Sequence, residues 1–391
     1  MKKPGITKLL VGFSFLLLNH TFIFAQDTDQ ANETAQAVES ADASSQQDEV
    51  VAVQDEKEPA ADAALEVPVN ARISSEALLP LTTRAWLSIP NARELVDDFK
   101  TTSFGELSEK PEMKPFVDMV TTRFRGFMDE KNVRLGLTLD DIRNVRTGEI
   151  CFAGIIANSM TQDSHGIVVL VDVNGNVDKA NELLVQVGKE MQELGGQKAD
   201  FQPILDVAVT NWRVPRVKNP NTKFDTYQAI CDGWLIATDN QTVLRDVIMR
   251  IKNPDTENEL GRLAKDEVFQ KIQDRIAIEE FDADLRWYIE PFGYVELSQA
   301  IADQESVLKV RREDHVRKLR ALGFDMLRAV GGIVSINNDD YEVIHRTFAY
   351  TAANEIKKEE RKTHQRFSIS ETKTITSFRL NPSSAAMRTA I

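Results

Sequence analysis

Residues 224–251 read FDTYQAICDGWLIATDNQTVLRDVIMRI, and this stretch decides the fold class. Tyr227 to Ile230 lead into Asp232-Gly233, the pair best suited to the positive φ of a tight hairpin turn. Trp234 to Ala237 is a short apolar run bounded by turn residues, as a buried strand should be. Asp239 or Asn240 can accept a hydrogen bond from an orphan N–H at a helix start. Val243, Leu244, Val247, Ile248 and Ile251 recur every three to four residues and give that helix one apolar face. Asn253-Pro254 ends it, because the residue before proline disfavours the α region. The two strands flank a tight turn and must be antiparallel.

Outward from this unit, an apolar or aromatic strand feeds a polar turn and then a helix at Trp86, Val171 and Trp287 as well. The spacing is too irregular for a solenoid. Asn91 with Glu94 forms a capping-box-like start to a helix carrying Leu95, Val96 and Phe99. A second helix from Pro111 places Phe116, Val120, Phe124 and Phe127 on one stripe, and residues 140–144 form one helical turn. Glu149 to Ala157 is apolar on both faces, which points to the centre of a sheet. Gly166 to Val173 is a strand, and Val177 to Leu194 a helix ended by Gly195-Gly196. Ile204 to Val217 returns as a strand broken at Pro215. Leu263 to Ile278 is a helix, Leu285 to Ile289 alternates as a half-buried strand, and Pro291-Phe292-Gly293 turns into a short helix. A charged helix spans 306–322, and Gly331 to Asn337 pairs with Tyr341 to Tyr350 as a hairpin.

The termini are of a different kind. Lys2, Lys3 and Lys8 precede the apolar run Leu9 to Leu18, and Ala25 closes the zone, the layout of a signal peptide over 1–25. The expected location is therefore secreted or periplasmic after cleavage, the alternative being tethering by an uncleaved N-terminal segment. Residues 26–70 hold 12 acidic residues, one lysine and no aromatic residue, too little apolar surface to offset ordering entropy. They read as a disordered acidic linker. Residues 71–255 and 256–351 are expected to form a first and a second α+β unit. Residues 352–391 form a charged, Ser/Thr-rich tail expected to be poorly ordered, with a mixed-charge helix over 353–366.

The fold class is thus α+β: mainly antiparallel sheets with helices packed on one face, compatible with two split-βαβ (ferredoxin-like) units. Net charge is −14, and no dominant nucleic-acid footprint exists.

No motif marks a reaction. The five histidines, His20, His165, His315, His345 and His364, lack metal-ligand spacing, and there is neither a G-x-S-x-G elbow nor a phosphate-binding glycine loop. Asp172 to Asp178 starts like a calcium loop, but Val177 stands where the sharp turn needs glycine and Leu183 where a glutamate belongs. Capped turn chemistry accounts for it. No cofactor, metal or catalytic residue is therefore assigned. Cys151 and Cys231 both fall in strands. Export would permit a Cys151–Cys231 disulfide, worth ~4 kcal/mol by chain entropy, against the commoner alternative of two buried free thiols. Lys309, Arg311, Arg312, Arg317, Lys318 and Arg320 make the basic stretch 309–320, a solvated helix face or a weak contact for an anionic surface.

Leu79-Pro80, Trp86-Leu87-Ser88-Ile89-Pro90-Asn91, Leu95, Phe99, Thr102, Phe104-Gly105-Glu106-Leu107 and Pro115-Phe116 carry a resemblance. Gly148-Glu149, Asp232-Gly233-Trp234, Gly323-Phe324-Asp325 and Val330-Gly331-Gly332 continue it over about residues 78–350. The chain resembles an uncharacterised exported protein family of planctomycete bacteria. That family has no assigned activity, so the resemblance lends no catalytic residue. Its members continue as folded chain past the final hairpin, where this sequence turns into a Ser/Thr/Arg-rich tail. The expectation is a non-enzymatic envelope protein, a binding or scaffold module for an unknown envelope component and not for nucleic acid. The alternatives are an exported hydrolase with an unrecognised site and a small-ligand-binding sensor module.

Overall fold

The computed structural model describes residues 73–119, 135, 137, 139–157, 165–216, 219–255, 261–277, 282–305, 317, 320, 326–338, 341–351, 376–380 and 388–390. The expected signal peptide, linker, 353–366 helix and all but two residues of the 306–322 helix lie outside them, as do Val120, Phe124 and Phe127.

A helical turn, α1 (Ser75–Leu78), precedes β1 (Thr83–Ile89). Helices α2 (Ala92–Thr101), α3 (Ser103–Glu109) and α4 (Leu139–Val145) then lead to the hairpin of β2 (Ile150–Ile156) and β3 (His165–Asp172). Asn91 accepts from the N–H groups of Arg93 and Glu94, both at 3.2 Å, and its side-chain amide donates to Glu94 at 3.0 Å, so Asn91 caps the helix in a variant of the box in which Glu94 bonds the cap's side chain. Helix α5 (Val177–Glu193) stops at Gly195, whose φ of 80° is the left-handed conformation glycine adopts without a side-chain clash.

Strands β4 (Gln197–Ala199), β5 (Val209–Arg216), β6 (Asn219–Cys231) and β7 (Trp234–Thr238) follow. The β6–β7 turn has φ of 45° at Asp232 and 82° at Gly233, the positive pair the sequence demanded. Asn240 caps α6 (Gln241–Lys252) by accepting from Val243 N–H at 3.1 Å. Asp239 instead accepts from Ile167 N–H at 2.7 Å and ties the turn to β3. The expected 263–278 helix divides into a short 3₁₀ turn and α7 (Glu267–Ile276), because Asp266 caps Phe269 N–H at 2.7 Å. Strand β8 (Leu285–Ile289), α8 (Pro291–Glu305) and the hairpin β9 (Leu327–Asn338)–β10 (Tyr341–Thr351) complete the body. The tail, expected to lack regular order, contributes β11 (Thr376–Leu380) and β12 (Arg388–Ala390).

These strands form one sheet in the order β12-β11-β10-β9-β8-β1-β2-β3-β7-β6-β5-β4, and every pairing is antiparallel. The α+β class with antiparallel pairing is as the sequence predicts. Residues of the two expected units share this sheet, since β1 pairs with both β2 and β8. The chain from β7 through α6 and α7 to β8 crosses three intervening strands, so β7 and β8 run in the same direction.

Helices cover both faces of the sheet, wider than the one-faced arrangement expected. On one face α6 and α7 bury Val243, Leu244, Val247, Ile248, Phe269, Ile272 and Ile276 against Trp86, Ala153, Leu170, Ile236 and Tyr288. Phe269 stands edge-on to Trp86 (5.3 Å, 77°) and to Tyr288 (5.2 Å, 69°), contacts worth about 1 kcal/mol each beyond their burial. On the other face Leu297 of α8 closes over Gly154, where a Cβ would lie 2.3 Å from its Cδ2. Trp212 of β5 lies against Gly188 of α5 on that same side. The cause is visible in β2 and β3, whose residues are apolar on both sides and need cover on both.

Candidate functional site

Two places gather polar side chains against the face covered by α6 and α7. The first is at the ends of β1, β2 and β8. Glu149 accepts from Ser75 Oγ (2.5 Å), Ser75 N–H (3.2 Å) and Ser88 Oγ (2.6 Å). Trp86 Nε1 donates to Ser75 Oγ at 3.0 Å, so that hydroxyl both accepts and donates. Arg286 pairs with Glu76 at 3.2 Å and lies over the Trp86 ring at 5.2 Å. At the other end of α1, buried Arg250 donates to Leu78 O (3.1 Å) and Arg262 to Ala77 O (2.8 Å), satisfying carbonyls the short helix leaves open. These groups bolt α1 to the sheet.

Cys151 adjoins this cluster and is fully buried. Burial, then the Glu149 charge, pushes its thiol well above the ordinary range. Cys231 is pushed up to about 11, by burial first and then by Asp232. A thiol held protonated in this way is the opposite of an activated nucleophile. The two cysteines are free, which corrects the disulfide the sequence permitted. Cys151 lies in β2 and Cys231 in β6, with β3 and β7 between them. Three strand spacings are roughly 14 Å, twice the Cα separation a disulfide can span.

The second place is a cleft of about 590 Å³ beside the outer half of the sheet. Its roof is the segment between β4 and β5. Ile204 and Val207 exchange backbone hydrogen bonds (3.1 and 2.9 Å) and are both buried, which pins the loop down. Between them Leu205 and Asp206 take φ of 46° and 65°, and Leu205 is lifted out to 49 % exposure. This tight loop replaces the start of the strand read from Ile204. No glycine announced it.

The cleft floor is Tyr227 of β6, set edge-on to Phe201 at 5.4 Å and 64°. Asn211 of β5, paired in register with Tyr227, also lines it. One wall is an outer stripe of α6: Gln241, Arg245 and Met249, each four residues apart. Met249 is 39 % exposed, and Arg245 is exposed with no ion-pair partner among the described residues. Arg213 also lines the cleft, paired with Asp225 at 3.0 Å, and Asp200 is the one carboxylate on the lining. Six of the twelve lining residues are polar or charged, so the wall is more polar than that of most small-molecule sites of ~300–1,000 Å³.

A smaller cleft of about 280 Å³ is bounded by Glu290, Phe292, Arg320, Leu327 and Arg328. Arg320 is one of two described residues of the basic stretch 309–320. It pairs with Glu296 at 3.6 Å and stacks on Phe292 at 5.4 Å.

Among the described residues no three or more His, Cys, Asp or Glu are grouped to hold a metal ion. The Asp172 carboxylate accepts from Thr147 Oγ1 (2.7 Å) and Asn174 N–H (3.0 Å), the turn chemistry read from the sequence. No described helix is long and apolar enough to cross a membrane. Asn211, Arg213 and Arg245 belong to no motif in the sequence. Two signals were available: a polar Asn211 in register with a core-facing tyrosine, and the four-residue spacing of Gln241, Arg245 and Met249.

No family model matches the chain, and no curated protein does. One solved structure, titled crystal form I of TP0453, is similar over 75 % of this chain and 84 % of that one. The identity is 10 % and the TM-score 0.32. A likeness at that level leaves function to be argued from this chain's own residues.

Proposed function

We propose that this protein is an exported, non-enzymatic binding module whose site is the cleft between the 200–207 loop, the β5–β6 hairpin and the outer stripe of α6. The observation that carries the reading is the convergence there of an aromatic floor, exposed apolar rims at Leu205 and Met249, and an unpaired guanidinium at Arg245. Such a wall recognises rather than transforms: each group offers contact or charge, and the perturbed cysteine thiols lie elsewhere. Export rests on Lys2, Lys3, Lys8 and the apolar run that follows. The resemblance to exported planctomycete proteins agrees with it.

The test is a thermal-unfolding screen of the full chain against small anionic and apolar molecules. A binder should raise the midpoint, and Phe201→Ala should abolish that rise while leaving the fold intact. A screen with no stabilising compound, or a shift indifferent to Phe201→Ala, would remove the cleft from consideration. The hydrolase alternative stands if the same protein turns over a glycosidase, esterase or peptidase substrate.

A further inference from the structure

We infer that the tail strand β11 is a guard: it covers the edge of β10, and once it is released two copies of this chain pair there, β10 against β10. The anchoring of β10 is the first observation. β9 pairs with β10 all the way from Tyr341 to Thr351, whereas β11 pairs only with Val343 to Thr347. On the face that α7 covers, Phe348 and Tyr350 pack against the core. Arg346 Nη1 donates to Ala277 O beyond the end of α7 at 2.7 Å, and Lys271 of α7 donates to the Tyr350 hydroxyl at 3.3 Å. None of these contacts involves β11, so β10 keeps its place without it. What is then bare is an 11-residue strand with its outer N–H and C=O groups unpaired, a template for a further strand.

The residues of β10 select its own copy as the occupant. Its acidic and basic residues are Glu342 and Arg346, an even number of positions apart and therefore on one face. In an antiparallel pair of two β10 strands centred on Ile344, Glu342 of each copy stands opposite Arg346 of the other, and no other register does this. Opposite charges directly across an antiparallel ladder stabilise it. The pair is also isologous, the form that closes into a dimer. Glu342 is bonded by Ser103 N–H at 3.1 Å and Arg346 by Ala277 O, both neutral groups, so neither charge is cancelled within the chain. β11 offers no such match: it sets Ser377 opposite Arg346, and its register stops at Val343, short of Glu342. It prevails in the intact chain because it is tethered. The 24 residues 352–375 hold it beside β10 at an effective concentration on the order of 1 mM, well above that of a second copy. The guard works by attachment rather than by fit.

The experiment releases β11 in the full chain with Ser377→Pro/Phe378→Pro and reads the mass in solution by sedimentation equilibrium. Successive N–H groups of a strand point to opposite sides, so two adjacent prolines remove a ladder bond on the β10 side whichever residue makes it. The unmodified chain should be a monomer, and the proline variant should have twice that mass at the same concentration. Adding Arg346→Glu sets like charges across the pair and should return the monomer mass. Adding Glu342→Arg to that protein makes the charges opposite again and should restore the dimer. A proline variant that stays monomeric overturns the inference, and so does an unmodified chain that is already a dimer. Dimers that persist with Arg346→Glu, or that the exchanged pair does not restore, overturn it through the register. Loss of the cooperative unfolding transition in the proline variant overturns it as well, because β10 then depends on its guard. None of these outcomes bears on the cleft, which lies toward the opposite end of the sheet.

Discussion

The Glu149 cluster and the Asn211 cleft occupy the same face of one sheet and use polar residues in opposite ways. Around Glu149 the carboxylate, both serine hydroxyls and the Trp86 indole are matched donor to acceptor. Around Asn211 an amide oxygen and a guanidinium are left over. Saturated polar groups in a partly buried place hold elements together, and each loses its value when one partner goes. A buried amide oxygen left unpaired weakens the fold, whereas an exposed guanidinium is satisfied by water. The Glu149 cluster also holds unpaired buried atoms at Glu76 Oε2 and Arg286 Nε, so an orphan atom by itself does not separate structural polarity from recognition.

The largest effect should come from cutting the saturated side. Glu149→Ala leaves the Ser75 and Ser88 hydroxyls without their acceptor and should cost about 3 kcal/mol in urea unfolding. Glu149→Gln, which keeps an acceptor, should lose about half as much. A shift below about 0.5 kcal/mol for the alanine variant would mean the cluster is not a bolt at all.

A second test sits between the two extremes. Asp284 accepts from Ile336 N–H at 2.7 Å, yet its carboxyl is raised from its ordinary 3.8 to about 6. Burial is the chief cause, the Ile336 bond opposes it, and Asp98, Glu94 and Asp282 add repulsion. The folded state therefore holds a proton that the unfolded chain has released between pH 4 and 6. Stability should fall as pH rises through that window and stay lowered above it. Asp284→Asn keeps an acceptor for Ile336, should flatten the profile, and should stabilise the protein above pH 6 by about 1 kcal/mol, less than full linkage because the group is partly exposed. Parallel unfolding-midpoint profiles for the two proteins would refute the assignment.

The smallest effect has the most telling sign. Asn211→Leu removes the orphan oxygen at nearly constant shape and should stabilise the protein by up to about 1 kcal/mol. Destabilisation by the same amount in a denaturant titration would show that Asn211 is already satisfied in solution.

Local chemistry was legible in the sequence where one residue type has few alternatives. Asp232-Gly233, Asn240 and the Asn91–Glu94 box each determine a turn or a cap within a few residues, and all three form. The apolar run of β2 likewise signalled a strand covered on both sides, although the helices that cover it come from distant segments. Non-local pairing was not legible. Glu149 could be placed next to a strand, but Ser75 lies 74 positions away and only the sheet brings the two together. The cleft shares that origin. Its roof turns on positive φ at Leu205 and Asp206, residues whose types do not announce such a turn, and its wall is the helix stripe that periodicity labels as solvent-facing.

The pairing of β1 has a consequence for the order of events in a growing chain. Trp86 meets Ala153 of β2 on one side and Tyr288 of β8 on the other. A chain made from its N-terminus produces β1, β2 and β3 early, but the second edge of β1 stays open until residue 289 has emerged. Through that interval a row of unpaired backbone groups beside an uncovered tryptophan is available to any passing strand. Contacts of such long sequence separation also slow the final closure. Late closure of the central strand is thus the point at which association between copies begins.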